Sequence, residues 1–356
     1  MTKFHGGSDQ WSDVVAEVPA IAAPTCYLCG HSGKSLYTGE RDRLYSAPGV
    51  WGIRVCPACD IAWLDPRPLP GAIPLLYDGY HTHKVASAGN LLRGLRETVG
   101  LWVLAARLGY RREAESHWPR VVFGWLASML PVVHEGVRLS VMGLPARRRG
   151  RLLDVGCGNG VFLAKMRELG WSVVGVEPDS DAARIARERF GLTVFEGTLS
   201  EVQLPDGAAD VVTMHHVIEH VPDPVEVLAE CRRILNPGGL ITVVTPNIRS
   251  LGRRVFGSSW RGWEVPRHVF IFSPRALRRC AELAGFKVIE LWTSVRAARW
   301  MWQVSRLIAL YETAPSRVDE SLRWRLRFEG MAFQLLEWAL ARVGQFGEEI
   351  VLVGQK

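Results

Sequence analysis

A chain of 356 residues has room for two or three structural units, and 48% hydrophobic with 22% charged residues is the composition of a folded protein rather than a disordered one. No apolar run reaches the roughly 18 residues that a membrane-crossing helix needs, which excludes a spanning helix. The formal charge of +7 is unevenly placed, with arginines grouped at Arg147-Arg148-Arg149, Arg253-Arg254 and Arg278-Arg279. Solvated surface arginines account for such groups, and so would an acidic partner: phosphate, nucleic acid or an anionic membrane surface.

Residues 1–20 carry no basic-then-apolar leader pattern and read as a disordered N-terminus, which points to a cytoplasmic protein. Four of the seven cysteines then fall in two pairs, Cys26-Tyr-Leu-Cys29 and Cys56-Pro-Ala-Cys59. Each pair turns two thiolates toward one centre, and the stretch between suits a small β-hairpin, so residues 21–72 read as a ribbon on a tetrahedral structural zinc. Disulfides would need an oxidising compartment, against which the missing leader argues. So short a segment has little core, and the metal would supply folding free energy on the order of 10 kcal/mol. The ribbon is expected to be structural and remote from any chemistry. Cys157, Cys231 and Cys280 read as ordinary small residues. His81 and His83 read as part of a loop rather than as metal ligands.

Residues 84–146 form a helical insertion, with helices expected over 91–108 and 121–144 and Trp102, Trp118 and Trp125 set among arginines. It reads first as a subdomain packed on the core, and second as a membrane-surface attachment with tryptophans at headgroup depth.

The stretch Arg151-Leu-Leu-Asp154-Val155-Gly156-Cys157-Gly158-Asn159-Gly160 organises the rest. It reads as a buried strand, a glycine turn whose backbone can approach a ligand closely, and a helix over 161–169 closed by Gly170. A second strand over 172–176 ends in Glu177, placed to take both hydroxyls of a ribose. A dinucleotide fingerprint would require glycine where Val161 stands. The actual spacing, Asp-x-Gly-x-Gly-x-Gly, resembles motif I of the class I S-adenosylmethionine-dependent methyltransferases over roughly residues 148–294. The resemblance implies a doubly wound α/β fold: a seven-stranded Rossmann-like sheet, here with an N-terminal zinc ribbon and helical insertions. It also implies S-adenosylmethionine as cofactor, with Asp154, Gly156, Cys157, Gly158, Glu177, Leu199 and His215 around it. The family often has an acidic side chain at the adenine turn, where this chain has Thr198.

The remaining elements follow in order: a helix over 180–190 capped by Asp179 or Ser180, strands over 192–195 and 209–215, and a helix over 224–235. The turn 236–239 leads to a fifth strand over 240–245, Ser273 and Pro274 open the next helix, and a sixth strand covers 286–292. Residues 349–354 resemble the reversed seventh strand of this fold, which makes the core 147–294 plus 347–356 and leaves 295–346 as a second helical insertion. Its aromatic and arginine-rich faces suit a lid, a homodimer surface or a membrane-facing patch.

Ligands in open α/β sheets bind at the carboxyl ends of the strands, where His215-His216-Val-Ile-Glu219-His220 and the loop through Trp260, Trp263, Glu264 and His268 converge. Both segments are similar to the branch containing ubiquinone-type O-methyltransferases, and the ribbon is similar to that of deoxysugar C-methyltransferases. A Glu-x-x-Glu-His pattern with a later histidine holds a divalent ion in some relatives of this branch. The resemblance therefore implies His216, Glu219, His220 and His268 as catalytic or metal-holding residues, although His216 stands where a glutamate is usual. The rival account uses His220 or His268 as general base without metal. Together these features point to a methyltransferase acting on a hydroxyl of a sugar, glycan or lipid-linked acceptor, with contact to the inner membrane face as a further expectation. Competing readings are sugar C-methylation, nucleic-acid modification (disfavoured) and a non-catalytic scaffold.

Overall fold

The computed structural model describes residues 18–77, 91–110, 118–315 and 318–356. His81 and His83 lie outside them, as does most of the N-terminal segment 1–20. The chain begins with β1 (Ala20–Ile21), β2 (Lys34–Glu40), β3 (Trp51–Val55), β4 (Ala62–Asp65) and β5 (Arg67–Pro68), then a 3-10 turn over Pro70–Tyr77. The strands β2, β3 and β4 form an antiparallel meander, and its fourth strand comes from far along the chain: β11 (Phe270–Ile271) pairs with β4. The cysteine-bearing unit thus shares a sheet with the core. It shares a hydrophobic cluster too, in which Cys26, Cys56, Ile61 and Trp63 pack with Val269, Phe270 and Phe272.

The first insertion contains α1 (Leu91–Leu108), α2 (Trp118–Ala127) and α3 (Pro131–Leu139). The single helix expected over 121–144 is two, because Pro131 has no N–H to continue the first and opens the second instead. The insertion is pinned to the core by Tyr110, whose hydroxyl donates to Leu144 O (2.9 Å) and receives Trp171 Nε1–H (3.0 Å).

The core alternates β6 (Arg151–Val155), α4 (Val161–Glu168), β7 (Ser172–Glu177), α5 (Ser180–Phe190), β8 (Val194–Glu196), α6 (Leu199–Val202), β9 (Ala209–His215), α7 (Pro224–Ile234) and β10 (Leu235–Pro246). After α8 (Leu251–Phe256) and β11 come α9 (Pro274–Leu283) and β12 (Lys287–Ser294). The second insertion is α10 (Ala298–Tyr311) and α11 (Glu320–Ala341), and β13 (Glu349–Gln355) closes the sheet. The seven strands run in the order β12-β13-β10-β9-β6-β7-β8, with β13 antiparallel to both neighbours and β6 to β10 parallel. Near-continuous apolar runs such as Val211, Val212 and Met214 suit strands covered on both faces.

Helix ends follow their signals: the Asp179 side chain accepts the Ala182 N–H and Gly191 ends α5 with φ 58°, while Ser273 caps α9 ahead of Pro274. The fifth strand departs from expectation. It begins at Leu235 rather than after the glycine turn, with an irregularity in its pairing between Leu235 and Leu240. Thr198 is the N-cap of α6, in a capping box with Glu201.

Candidate active site

Between β6 and α4 the backbone takes positive φ at Gly156 (70°), Gly158 (54°) and Gly160 (78°). A Cβ on Gly156 would sit 2.6 Å from Val217, and one on Gly160 would sit 2.6 Å from Leu192, so both are packing requirements as well. A Cβ on Gly158 would meet nothing within 4 Å, and that open backbone is the side a ligand can approach. Glu177, at the end of β7, faces this turn. One carboxylate oxygen accepts the Gly158 N–H (2.6 Å) and the other the Asp179 N–H (3.0 Å).

Asp154 is buried at the end of β6 and accepts from Thr213 Oγ1 (2.6 Å); burial pushes its carboxyl up to about 7. Cys157 is buried under the turn, where it would clash with any side chain at Gly175. Leu199 is buried in the same hydrophobic cluster as Val155 and Val176, at the ends of β6 and β7. His215, at the end of β9, has its ring edge-on to His216 (centroids 4.6 Å apart) and 3.5 Å from an Arg296 nitrogen. Burial, then the charge of His216, pushes His215 down to about 3, leaving a neutral ring.

The second half of the site lies past β9. His216 takes a left-handed backbone (φ 57°), and its two ring nitrogens meet Glu219 (3.0 Å) and Glu349 (2.9 Å). Burial would discharge the ring, but the hydrogen bonds to these two carboxylates outweigh it and hold the imidazolium up to about 10. Glu219 and Glu349 are in turn held down at about 2: burial opposes this and the bond to His216 prevails. The other oxygen of Glu219 accepts from Thr245 Oγ1 (2.9 Å).

Glu219, His220 and His268 bring one ligand atom each to within 4.8 Å of one another. His220 Nδ1 lies 3.1 Å from Arg267 O and 2.9 Å from the Tyr77 hydroxyl; in the tautomer whose Nδ1–H donates to that carbonyl, Nε2 keeps its lone pair. His268 Nδ1 donates to Gly262 O (2.8 Å), its Nε2 lies 3.4 Å from the Glu264 carboxylate, and burial pushes the ring down to about 4. The two rings meet edge to face with centroids 4.7 Å apart. The four-residue set read from the sequence is therefore divided. Glu219, His220 and His268 converge, whereas His216 groups with His215 and Glu349 because two carboxylates already occupy both its nitrogens.

The four thiols of Cys26, Cys29, Cys56 and Cys59 likewise lie within 4.8 Å of one another, with Cys29 and Cys56 sulfurs 3.5 Å apart. Tight turns hold both pairs, Gly30 N–H donating to Cys26 O and Asp60 N–H to Cys56 O. The polypeptide around this cluster reaches the groups past β9, although the four thiols themselves do not join them. Asp42, in the loop after β2, makes a two-pronged pair with Arg267 (2.9 and 3.0 Å), both side chains fully buried. Tyr77, at the end of the 3-10 turn, places its hydroxyl 2.9 Å from His220 Nδ1. Sequence reasoning missed Asp42, Tyr77, Arg296 and Glu349, which reach the site from 81 to 225 positions away and carry no local motif. Glu264 and Arg267 were within the quoted loop but unassigned. Glu264 is held well below the ordinary carboxylate range; burial opposes this, and Arg261, His268 and Arg267 outweigh it.

The family description "Methyltransferase domain" matches residues 135–291. The ubiquinone biosynthesis O-methyltransferase of Cereibacter sphaeroides is 32% identical over 181 residues, covering 47% of this chain and 73% of that protein. This chain belongs to the class I S-adenosylmethionine-dependent methyltransferases. The Burkholderia pseudomallei protein of the same name is 30% identical over 168 residues, covering 44% of this chain and 72% of its own length. A crystal structure of an S-adenosylmethionine-dependent methyltransferase from Archaeoglobus fulgidus shares 22% identity, with TM-score 0.40, over 58% of this chain and 86% of that one. S-adenosylmethionine is the cofactor of this methyltransferase, and no helix among its described residues is long and apolar enough to cross a membrane.

Proposed function

We propose that this methyltransferase methylates a hydroxyl on a sugar, glycan or lipid-linked acceptor, at a site where Glu219, His220 and His268 hold a divalent ion. The observation that carries the reading is the convergence of those three groups, with a backbone carbonyl beside Nδ1 of each histidine that suits the tautomer presenting Nε2. Two imidazoles and one carboxylate with carbonyl-anchored histidines are the donor set of a redox- or Lewis-active divalent site. Such a donor set favours Mn²⁺, Fe²⁺ or Zn²⁺ over Mg²⁺, and a bound ion lowers the pKa of an acceptor hydroxyl. O-methylation is supported by the names of the ubiquinone-type relatives.

Each residue has a stated task. Glu177 receives the ribose hydroxyls, while Asp154, Gly156 and Gly158 shape the methionine side, over Cys157 and Leu199 and against His215. His216, as an imidazolium, clamps Glu219 from one side while Thr245 fixes it from the other, so the carboxylate cannot rotate away from His220 and His268. His220 and His268 would hold the ion through Nε2; in the metal-free alternative the same nitrogens would instead take the acceptor's proton as its oxygen meets the sulfonium methyl. Holding the reactants in line supplies about 7–11 kcal/mol of the barrier. The four thiolates fit a tetrahedral structural zinc. The chain would divide into a ribbon (21–72), two helical insertions (84–146 and 295–346) and a core of 147–294 plus 347–356, with the insertions making membrane contact or a homodimer.

A second reading, sugar C-methylation with His220 as base, is favoured by the Tyr77 hydroxyl, which reaches His220 Nδ1 from the 3-10 turn after the cysteine-bearing unit (2.9 Å). Methyl transfer from labelled cofactor into glycan, lipid and RNA fractions tests these readings. Label in an alkali-stable ether of a glycan or lipid supports the first, a new C-methyl branch supports the second, and label in RNA alone contradicts both.

A further inference from the structure

Among the described residues, nothing covers one long helix face of the second insertion. On α11 the residues turned inward are Leu326, Gly330, Phe333 and Glu337, which pack toward α10 and the end of β12. The residues between them form a second apolar stripe at helical spacing: Trp324, Phe328, Met331, Leu335 and Leu336. These are exposed by 63%, 72%, 42%, 60% and 53%, far more than a solvated helix needs to show of its large apolar side chains. At the N-terminal end of the stripe, Trp324, Phe328 and Met331 line a groove bordered by Arg299 of α10 and by Arg325 and Arg327 of α11. Arg327 lies over the Trp324 ring at 5.3 Å. The one acid in the groove, Glu329, is already engaged by Arg325 (2.8 Å) and by Trp302 Nε1–H (3.3 Å).

We infer that this face of α10 and α11 docks on an anionic lipid surface, the aromatic and aliphatic stripe entering the interface and the arginines meeting lipid phosphates. Charge decides between that occupant and a second copy of the chain. A two-fold pairing sets the same patch against itself, which would bring the arginine rim near its own copy with the one local acid already paired. A bilayer rich in anionic headgroups complements both halves of the patch, since arginines belong at phosphate level and tryptophans at the headgroup boundary. The first insertion adds a second patch of the same character, with Trp118, Phe123, Trp125 and Leu126 exposed on α2.

The two insertions meet beside the active site. Glu135 of α3 accepts the Val295 N–H (3.2 Å), and Gln334 of α11 donates to Val295 O (2.9 Å). The next residue, Arg296, reaches His215 at the cofactor pocket (3.5 Å). A membrane held by this corner would present its acceptors next to the strand ends where methyl transfer occurs. This inference rests on the lipid-linked option of the proposed function for its purpose, but not for its test.

The test is flotation of the full chain with vesicles of phosphatidylcholine, with and without phosphatidylglycerol, at low and high salt. Calorimetry with S-adenosylmethionine is run in parallel on every protein. The expected result is co-flotation with the phosphatidylglycerol vesicles only, reversed by salt. The triple substitution Arg299→Gln, Arg325→Gln, Arg327→Gln should weaken partition about a hundred-fold, at roughly fivefold per arginine. Trp324→Ser with Phe328→Ser should abolish it, and cofactor affinity should not change in either. Wild-type protein that stays in the soluble fraction, while still binding cofactor, overturns the lipid face and leaves the methyltransferase reading intact. Light scattering that shows a dimer, dissolved by Trp324→Ser with Phe328→Ser and indifferent to lipid, overturns it in favour of a second copy.

Discussion

Replacing Asp42 with alanine tests whether the cysteine-bearing unit is part of the catalytic body. In the native protein its carboxylate makes two hydrogen bonds to Arg267 and accepts the backbone N–H groups of Leu44, Tyr45 and Ala47. Neither Asp42 nor Arg267 has any exposed side chain. Removing one member of a buried pair leaves the other charge desolvated, at a cost of about 3–5 kcal/mol. Glu264, 3.3 Å from Arg267 Nε, stays behind to share that charge, so the lower end, about 3 kcal/mol, is expected. The carbonyl of Arg267 orients His220, and a displaced Arg267 should therefore also disturb the acceptor half of the site. The cofactor half, built on β6 and β7, should not notice. Urea unfolding and calorimetry with S-adenosylmethionine on the same sample read both effects. A loss below about 1 kcal/mol, or a cofactor affinity that falls in step with stability, would refute the reasoning.

Other expectations follow from the same geometry. Glu177→Gln keeps one acceptor oxygen but loses the charge and should weaken cofactor binding about tenfold; Glu177→Ala loses both ribose contacts and should weaken it on the order of a hundredfold, since charge-assisted bonds are worth about 1.5–3 kcal/mol each. Unchanged affinity in calorimetry would move the ribose elsewhere. Protein purified without chelator should carry one zinc for Cys26, Cys29, Cys56 and Cys59, and Cys56→Ser should lose it together with the fold of the unit; elemental analysis finding none contradicts the assignment. The raised pKa of His216 gives a pH window: its contribution to stability is full below the ordinary value of 6.5 and is lost as pH rises through about 10. Denaturation of wild type and His216→Gln should therefore differ most at pH 6.5 and just below and converge above about pH 10; a constant difference across that range would show that His216 is not charged in the folded protein.

Much of the core could be read in advance because its signals are local. The Asp154-to-Gly160 turn, the Asp179 and Ser273 caps and the apolar strands each state their structure within a few residues. Proline chemistry also explains the one helix read too long, at Pro131. What stayed hidden is held by distant partners. Phe270–Ile271, a two-residue strand between a proline-containing loop and a helix cap, shows no alternation that would assign it to the ribbon sheet. The role of His216 depends on Glu349, 133 positions away, so its place in a familiar spacing suggested a ligand where the fold makes a clamp. Asp42 and Tyr77 are ordinary loop residues until the ribbon docks on the core.

Chelation followed by metal add-back bears most directly on the divalent site of Glu219, His220 and His268. Methyl transfer from labelled S-adenosylmethionine into the acceptor fraction would be measured on protein treated with EDTA, after confirming that the cysteine-bound zinc is retained. Activity should vanish on treatment and return with Mn²⁺, Fe²⁺ or Zn²⁺ more than with Mg²⁺. Full turnover after chelation, together with its loss in His220→Ala and His268→Ala, would contradict the metal site and leave those histidines as bases.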